Sequence, residues 1–405
     1  MRTRWLSIVA LLLSVFGVLM GNGVMTTLVP VRAAIEGFAK IDIGIIGACY
    51  FLGMLTGAMI APRLVRRIGT IPAFALSSLL GTAVLLTMPV AVHPWSWAIL
   101  RGISGFSLAG IYAIVESYVQ ASAENRYRGR LLAAYSIMQY GGWAAGGQLM
   151  RVASPTETTI LLVAAGIVIA IGILPLLLVD REPGQAAAAT PGAPKPAGLN
   201  LAGLYRTSPI GFVATILIGM ANGPFWSLTP VYATDIGLSA VAAGSLMTAV
   251  TIGAAVFQFP VGRLSDAIDR RFVLVGLTLT AAVVECVLYL FGARLIGWPL
   301  QTLGFMLGGL IATQYYTTSA HTNDRAGVGR AINVSAALLF LYSIGAITGP
   351  LTASFAMQAL GPAALYLHNG ALHVVVAVFV VLRILRRPPP ARAVLVPRET
   401  LNPET

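Results

Sequence analysis

The side chains best able to do chemistry in this sequence are charged residues within long apolar stretches. Arg101 and Glu116 both lie in one such stretch, at residues 94–121. A charge inside a membrane helix costs about 2.5–3.5 kcal/mol on insertion scales, so it usually faces a cavity or a partner. The two residues are 15 positions apart, or roughly 22 Å along a helix, which is too far for a direct pair. Each therefore needs another partner, water or a ligand.

Two interpretations stay open for each of these residues. Arg101 could bind an anion, or it could extend towards a membrane interface marked by Trp95 and Trp97. Glu116, if it is desolvated, could take up and release protons near neutral pH. Alternatively, Glu116 forms an ion pair with the arginines of the next loop, at 126–130.

Amide and aromatic side chains make up the rest of the candidate site. The set is Asn22, Gln139, Trp143, Gln148, Asn222, Trp226, Gln258, Gln314, Tyr315 and Tyr316. Together they suit a neutral or weakly charged organic molecule. The alternatives are structural, because Asn22 and Asn222 could hydrogen-bond between helices and the tryptophans could fill packing gaps. Glu285, in another apolar stretch, is predicted to pair with Arg294 or to serve helix packing.

The elements that position these residues are apolar helices. Of the 405 residues, 57% are hydrophobic and 10% are charged, against roughly 25% charged residues in a soluble domain. A membrane span needs about 20 mostly apolar residues, and about twelve such stretches are present. They lie near 5–29, 43–63, 71–90, 94–121, 131–151, 157–180, 208–232, 238–262, 272–292, 294–320, 330–355 and 362–386. The predicted class is an all-α membrane protein whose first span is retained rather than cleaved as a signal peptide.

The formal charge of +12 is distributed by topology. With alternate loops assigned to alternate sides, one side collects most of the 26 Lys and Arg residues, whereas the other has only Arg32, Lys40, Arg151 and Arg294. The positive-inside rule then places both termini in the cytoplasm. Nucleic acid is not needed to explain this basicity.

The sequence repeats itself at an offset of 200 residues. Residues 20–31 and 220–231 both read Met-x-Asn-Gly and then, after four further residues, Leu-x-Pro-Val. The same offset relates Arg63-Leu64 to Arg263-Leu264 and, with a slip of one, Gly105-Phe106 to Gly304-Phe305. Parallel repeats of several membrane helices are typical of secondary transporters whose substrate site lies between the halves.

Four segments follow from this repeat. Residues 1–180 and 208–387 are predicted to form two six-helix bundles in the same orientation. Residues 181–207 have the Ala, Pro and Gly composition of a flexible cytoplasmic linker. The tail at 388–405, with its run of prolines, is predicted to be disordered in the cytoplasm.

A charge pattern follows the eighth apolar stretch. It consists of Gly262, Arg263, Asp266, Arg270 and Arg271. This pattern resembles the cytoplasmic loop signature of the major facilitator superfamily, which has a glycine, an aspartate four residues on and closely spaced basic residues. The resemblance implies that Gly262 allows close helix approach and that Asp266 pairs with basic residues to hold the inner gate.

The equivalent loop of the first half departs from that pattern. It contains Gly57, Arg63, Arg66 and Arg67, and Arg66 occupies the position of Asp266. Arg66 is therefore predicted either to reach an acid across the seam between the halves or to be an ordinary positive-inside arginine.

The fourth and fifth stretches carry further points of resemblance. Arg101 followed by Gly105 is similar to the superfamily's fourth-helix pattern. Glycine-rich runs at 140–148 and 345–350 are similar to its fifth-helix pattern. The Gly-Pro pair that proton-linked exporters have in the fifth helix occurs here only in the eleventh, at Gly349-Pro350. This departure weakens the antiporter interpretation.

The resemblance covers the entire chain and implies alternating access in a bacterial inner membrane. The leading hypothesis is a monomeric, proton-coupled transporter of a small organic solute, with efflux favoured because the predicted cavity is aromatic and sparse in charge. Uptake of a sugar or an organic anion is the alternative. A non-transporting receptor or a lipid flippase on the same scaffold is a second alternative.

Other functional classes find no support in the sequence. No Gly-x-x-x-x-Gly-Lys-Ser/Thr phosphate loop occurs, which argues against ATP-driven transport. The four histidines are scattered without metal-ligand spacing or an evident nucleophile. Cys49 and Cys286 both lie in apolar stretches and predict no disulfide. We therefore expect no enzyme activity, no cofactor and no metal site.

Overall fold

Long helices follow one another along the chain with short turns between them. The computed structural model describes residues 2–122, 128–178, 201–326 and 331–386. In chain order the helices are α1 Arg2–Ile35, α2 Lys40–Ile68, α3 Thr70–Thr87, α4 Pro94–Ser122, α5 Arg128–Gln148, α6 Thr159–Ile167, α7 Leu201–Thr207, α8 Pro209–Asp235, α9 Ala240–Ala267, α10 Arg270–Phe291, α11 Trp298–Ala326, α12 Ala331–Leu360 and α13 Ala364–Arg386. Beyond α6 the helical path continues through a π-helical segment, Val168–Ile173, and a 3₁₀ segment, Leu174–Leu178.

Hydropathy separates two of the long helices from the rest. Within the described residues, ten helices are long and apolar enough to cross a membrane. Helices α5 and α11 are not among these ten, and they are the least apolar of the long helices. Glycine and amide side chains such as Gln139, Gln148 and Gln314 lower their hydropathy.

Turns recur at the same offset of 200 residues. Helices α1 and α8 are followed by Gly37 and Gly237, whose φ angles are 79° and 87°, a conformation that glycine adopts without strain. The starts of α3 and α10 differ. Gly69 precedes α3 without a side-chain cap, whereas Asp269 Oδ1 accepts a hydrogen bond from the Arg271 backbone N–H at 2.9 Å and caps α10.

The same helix pairs pack in both halves. In the first half α1 packs on α5 and α2 on α4; in the second half α8 packs on α12 and α9 on α11. A Cβ atom at Gly53 would meet the carbonyl oxygen of Gly102, and one at Gly253 would meet that of Phe305. Glycine at these two equivalent positions therefore permits the close approach of α2 to α4 and of α9 to α11.

The seam between the halves consists mainly of two helix pairs. Helix α2 packs on α12, and α5 packs on α9, while α1 and α8 also touch. The predicted linker ends in ordered structure, because Leu201–Thr207 forms α7 and Leu204 packs in a small cluster with Leu338 and Leu341 of α12. The remaining linker residues, 181–200, and the predicted tail at 388–405 lie outside the described residues.

Candidate functional site

The two ends of the seam have different contacts. We call the end that carries Arg63, Arg66 and Arg263 the arginine-rich face, and the end that carries Lys40 and Asp235 the opposite face. At the opposite face the halves are joined. Lys40 Nζ lies 2.6 Å from Asp235 Oδ1, between the start of α2 and the end of α8.

A second group of contacts closes the opposite face between α5 and α9. Gln148 Nε2 donates to Thr248 Oγ1 at 2.6 Å, and Arg151 Nη2 donates to Ser245 Oγ at 3.1 Å. Gln148 was predicted to line the pathway, and here it joins the halves at this closed end. A Cβ atom at Gly147 would meet the carbonyl oxygen of Gly244. The backbones of α5 and α9 therefore lie against each other at this end.

At the arginine-rich face, a cavity of about 230 Å³ lies beside α9 and α11 of the second half. Its lining includes Gln258, Gly262, Asp266, Arg270, Thr313, Tyr316 and Thr317. Gln258 also donates a hydrogen bond to the Tyr140 hydroxyl across the seam, so this contact lies at the inner end of the cavity.

The predicted close helix approach at Gly262 is wrong in this conformation. A Cβ atom there would meet no atom of the described chain within 4 Å, because Gly262 lines the open cavity instead of a helix crossing. Gly57 does lie at a close crossing, where a Cβ atom would meet the carbonyl oxygen of Phe106 on α4.

Arg101 lies inside the first half. Its side chain is 4% exposed, and its guanidinium carbon lies 4.3 Å from the centroid of the Tyr50 ring. Tyr50 in turn lies close to Asn22 of α1. Among the described residues, no atom hydrogen-bonds to Arg101 Nη1, and none to Asn22 Nδ2. Helices α1, α2 and α4 therefore hold a buried cation with donors to spare.

Tyrosines surround this position, and most of them were not selected from the sequence. Tyr50 lies close enough to interact electrostatically with Tyr112 of α4 and with Tyr342 of α12, and Tyr112 interacts in the same way with Tyr140 of α5. Tyr112 also shares a hydrogen bond with Gln139. The sequence did hold a signal, since a phenol hydroxyl within an apolar span usually requires a partner.

The remaining predicted residues lie at several places around the seam. Trp143 and Trp226 meet across it, with ring centroids 5.4 Å apart. Asn222 Nδ2 donates to the Ile311 carbonyl at 3.3 Å, which joins α8 to α11. Tyr315 packs on Tyr342, with centroids 5.1 Å apart.

Tyr316 and Gln314 differ from each other in their surroundings. Tyr316 is 57% exposed and lines the open cavity. Gln314 is fully buried, and neither its Oε1 nor its Nε2 has a hydrogen-bond partner within the described part of the chain. An amide buried in this way belongs to the interior of the second half and does not line the cavity.

The charged loop of the second half forms contacts within its own half. Arg270 Nη2 lies 3.0 Å from Asp266 Oδ1, and Arg270 Nε lies 2.8 Å from Asp324 Oδ2 on α11. These ion pairs join the ends of α9, α10 and α11. Arg263 stacks on Phe259 of its own helix, 4.4 Å from the ring centroid.

Asp269 and Arg271 form a second ion pair in this loop. Arg271 is 1% exposed, and its Nη2 lies 2.8 Å from Asp269 Oδ2. Partial burial acts to raise the pKa of Asp269, but hydrogen bonds from the Arg271 side chain and backbone outweigh this effect and hold the pKa below its usual value.

The first-half arginines do not reach across the seam. Arg63 Nη1 donates to the Met59 carbonyl of its own helix at 3.1 Å. Arg66 and Arg67 are exposed, and neither is within ion-pair distance of a described acidic residue. The acid across the seam that Arg66 was predicted to reach is therefore not found among these residues.

One prediction about the carboxylates inside the membrane was wrong. The side chain of Glu116 lies outside the described residues, so both interpretations of Glu116 stay predictions. Glu285 does not pair with Arg294. Its Oε2 lies 2.7 Å from His373 Nδ1 on α13, and both side chains are almost completely buried. Arg294 lies beyond the end of α10 and is exposed.

Metal-ligating groups do not cluster in the described residues, where no group of three His, Cys, Asp or Glu side chains could hold a metal ion. What the seam offers is one buried guanidinium, several phenol hydroxyls, amides and two tryptophans. Such a set can bind an organic solute by hydrogen bonds and ring contacts.

Comparison with known proteins agrees with this architecture. The sequence model of the Major Facilitator Superfamily matches residues 11–220 and again residues 211–403. An uncharacterized MFS-type transporter of Enterobacter sp. (strain 638) is 31% identical over 338 residues, which is 83% of this chain and 85% of that protein. The uncharacterized MFS-type transporter YcaD of Shigella flexneri is 30% identical over 337 residues, with the same shares covered.

Solved structures resemble the fold. The nucleoside transporter NupG superimposes with a TM-score of 0.75 at 14% identity, over 94% of this chain and 99% of that one. A bacterial homolog of the human lysosomal transporter Spinster gives 0.70 at 16% identity, over 94% and 95%. The family and the all-α fold predicted from the sequence are thereby confirmed.

Proposed function

The chain belongs to the major facilitator superfamily, and we propose that it moves a small, oxygen-rich organic solute across a membrane by alternating access. It is a multi-pass membrane protein of a transporter family. The observation that carries the proposal is the buried Arg101, which stacks on Tyr50 and keeps Nη1 without a partner among the described residues.

The contacts along the seam support the alternating-access part. The Lys40–Asp235 and Gln148–Thr248 contacts join the halves at the opposite face, whereas a cavity opens at the arginine-rich face. A transporter needs a state of this kind and a second state with the opposite end open. We place the arginine-rich face in the cytoplasm by the positive-inside rule, so this state is the inward-open one.

The chemistry around the seam supports one of the substrate classes that the sequence left open. Arg101 carries a positive charge, and no described carboxylate lies beside it. The neighbouring polar groups are hydroxyls and amides, which bind oxygen-bearing solutes. This set favours a sugar-like molecule or an organic anion over a cationic amphiphile. Uptake therefore becomes the leading direction, and efflux becomes the alternative.

One observation favours the efflux alternative. Trp143 and Trp226 form a ring contact across the seam, and Trp143 Nε1 is buried without a partner in the described chain. An aromatic wall of this kind would also suit an apolar or cationic molecule. A receptor or a lipid flippase would use the same scaffold without moving a soluble solute.

The test is ligand-induced stabilisation of the detergent-purified protein. Sugars, organic anions and cationic amphiphiles are screened by thermal unfolding, since a ligand that binds the native state raises the midpoint. We expect stabilisation by a sugar or an organic anion. Arg101→Gln should weaken that binding by about 10- to 100-fold, because a hydrogen bond to a charged group is worth about 1.5–3 kcal/mol.

The matched control is Arg294→Gln, which removes an exposed arginine beyond the end of α10. This variant should bind the same solute with unchanged affinity. Stabilisation by cationic amphiphiles alone, with equal affinity in Arg101→Gln, would reject the substrate class. Uptake or counterflow of the identified solute in proteoliposomes then separates a transporter from a receptor.

A further inference from the structure

We propose that Glu285 and His373 form the proton-binding site of this protein, behind the seam and between α10 and α13. The proposal rests on the transport function and adds the coupling ion and its position. Glu285 Oε2 and His373 Nδ1 are 2.7 Å apart, and the two side chains are 0% and 1% exposed. Within the described residues, Glu285 Oε1 and His373 Nε2 have no hydrogen-bond partner.

Few carboxylates in the sequence could serve this role. Of its 14 Asp and Glu residues, only Glu116 and Glu285 lie well inside a predicted span. Glu285 has a histidine partner on a neighbouring helix, so the two side chains together form a defined site. A buried ionisable pair is a poor way to gain stability, because apolar residues of similar size usually pack as well or better. Ionisable residues inside a membrane bundle are therefore functional candidates by default.

The protonation states of the pair follow from its burial. With one proton shared between Oε2 and Nδ1, the pair has no net charge, either as carboxylate and imidazolium or as carboxylic acid and imidazole. When that proton passes to water, the pair is left with one negative charge. An uncompensated charge is costly in this environment. The loaded form is thus the stable one, and release requires hydration or movement of the helices.

Among the residues that the structure describes, no strong fixed charge lies beside the pair. The titratable groups near it are Tyr366 and His368 on α13 and Tyr232 on α8. The adjoining part of α12 contributes Thr352, which has no charge. Helices α9 and α11 also pack on α10, but the charged groups described on them, around Asp266 and Asp324, lie at the arginine-rich end. The proton itself therefore sets the charge of this site.

A polar chain leads from the pair towards the opposite face. His368 Nε2 lies 2.9 Å from Thr352 Oγ1, and His368 Nδ1 lies 2.9 Å from Asn369 Oδ1. Thr352 is exposed, and Asn369 is fully buried one helical turn from His373. The buried Asn369 Nδ2 has no partner in the described chain. Protons can thus approach His373 from the end of the molecule that is closed at the seam.

A second set of contacts joins the pair to the seam. Tyr366 packs on Tyr232 of α8, with ring centroids 4.7 Å apart. Helix α8 also carries Asn222 and Trp226, which lie at the seam. A change of charge at Glu285 can therefore bias the position of α8.

The first test asks directly whether Glu285 changes its protonation. Infrared difference spectra of the purified protein between acid and neutral pH should show a carboxylic C=O band that Glu285→Gln removes and Glu116→Gln retains. A band that survives in Glu285→Gln, or one that only Glu116→Gln removes, would overturn the proposal. This readout needs no substrate, so it stands even if the proposed transport function fails.

The second test separates coupling from transport. In proteoliposomes, Glu285→Gln and His373→Gln should retain solute counterflow. Solute accumulation driven by a pH gradient should fall at least tenfold in both variants. Accumulation equal to that of the unmodified protein would overturn the proposal, and so would equal loss of counterflow and accumulation. If a single variant does not fold, Glu285→Leu with His373→Leu replaces both partners by apolar groups, and the same two assays apply.

Discussion

The two halves of the chain use equivalent positions for packing but different groups for charge. Gly53 and Gly253 both lie where a neighbouring helix passes at close range, and Asn22 and Asn222 both lie near the seam. The charged groups do not repeat. Among the described residues, the first half buries the Arg101 guanidinium against Tyr50, whereas the second half buries a Glu–His pair away from the seam.

This difference indicates a division of labour between the halves. A repeated framework needs the same small residues wherever two backbones approach, because a Cβ atom there would meet a carbonyl group. Charges inside the membrane are costly and are not needed for the framework. The two halves can therefore carry different buried charges. We assign solute recognition to the first half and proton binding to the second.

The largest expected effect compares Gly105 with Gly304, its partner in the sequence repeat; by contacts the second-half equivalent of Gly105 is Gly308, whose added Cβ atom would meet the carbonyl oxygen of Val250. A Cβ atom at Gly105 would meet the backbone carbonyl of Tyr50, whereas one at Gly304 would first meet a methyl group of Leu246. A backbone cannot yield as a side chain can. Gly105→Ala should therefore lower the free energy of unfolding by about 1–3 kcal/mol, and Gly304→Ala by clearly less.

Thermal unfolding of both variants in the same detergent measures this difference. Gly105→Ala should also weaken solute binding, because Tyr50 supports the Arg101 guanidinium. Equal destabilisation by the two substitutions would show that a Cβ atom placed against backbone costs no more here than one placed against a side chain.

The sequence predicted the framework well. Apolar stretches predicted the long helices, and the offset of 200 predicted that Asn22 and Asn222 occupy equivalent places in α1 and α8. Hydropathy alone does not find α5 and α11. Both had been predicted among the mostly apolar stretches, at 131–151 and 294–320, and their lower hydropathy fits helices at the seam, which need less apolar surface than helices that face lipid.

An intermediate effect concerns the starts of α3 and α10. Asp269 caps α10 and pairs with Arg271, whereas the equivalent position before α3 is Gly69. Hydrogen bonds from Arg271 hold the pKa of Asp269 below its usual value despite partial burial. The pair therefore stabilises the folded protein above the unfolded-state pKa, about 3.9, and this contribution is lost as the pH falls through the folded-state pKa.

Asp269→Asn should lower stability by up to about 1 kcal/mol at neutral pH and by less below about pH 4. Midpoints of thermal unfolding across this pH range measure the difference. Asp324→Asn is the control, because it removes an exposed carboxylate from the same loop cluster. The assigned role of the pair would be wrong if the difference in unfolding midpoint between wild type and Asp269→Asn stays constant from neutral pH to below the folded-state pKa of Asp269.

The functional groups were harder to predict than the framework. Glu285 and His373 are 88 residues apart in sequence, and neither span shows that the two helices face each other. The tyrosines near Arg101 come from four different helices. Gly262 was predicted to allow close helix approach by resemblance to the loop signature, whereas in this conformation it lines a cavity.

The smallest expected effect concerns the ion pair that closes the opposite face. Lys40 and Asp235 are partly exposed, at 27% and 19% of their side chains, and such a pair contributes about 0.2–1 kcal/mol. Lys40→Gln or Asp235→Asn should therefore change the ratio of the two conformational states by at most about fivefold. High salt should reduce the difference from the unmodified protein. Distances between spin labels at the ends of α2 and α8 report the shift.

A control and a rescue make this small shift decisive. Glu36→Gln breaks the Arg32–Glu36 pair, which lies at the end of α1 on the same face and does not cross the seam, so it should leave the distances unchanged. Exchanging the charges, with Lys40→Asp and Asp235→Lys together, should restore the original distribution. The Lys40–Asp235 pair joins α2 of one half to α8 of the other. Only its loss should therefore weaken the contact between the two bundles while leaving the structure within each bundle unchanged. A shift of the same size in Glu36→Gln would mean that total charge, not the contact across the seam, holds this face closed.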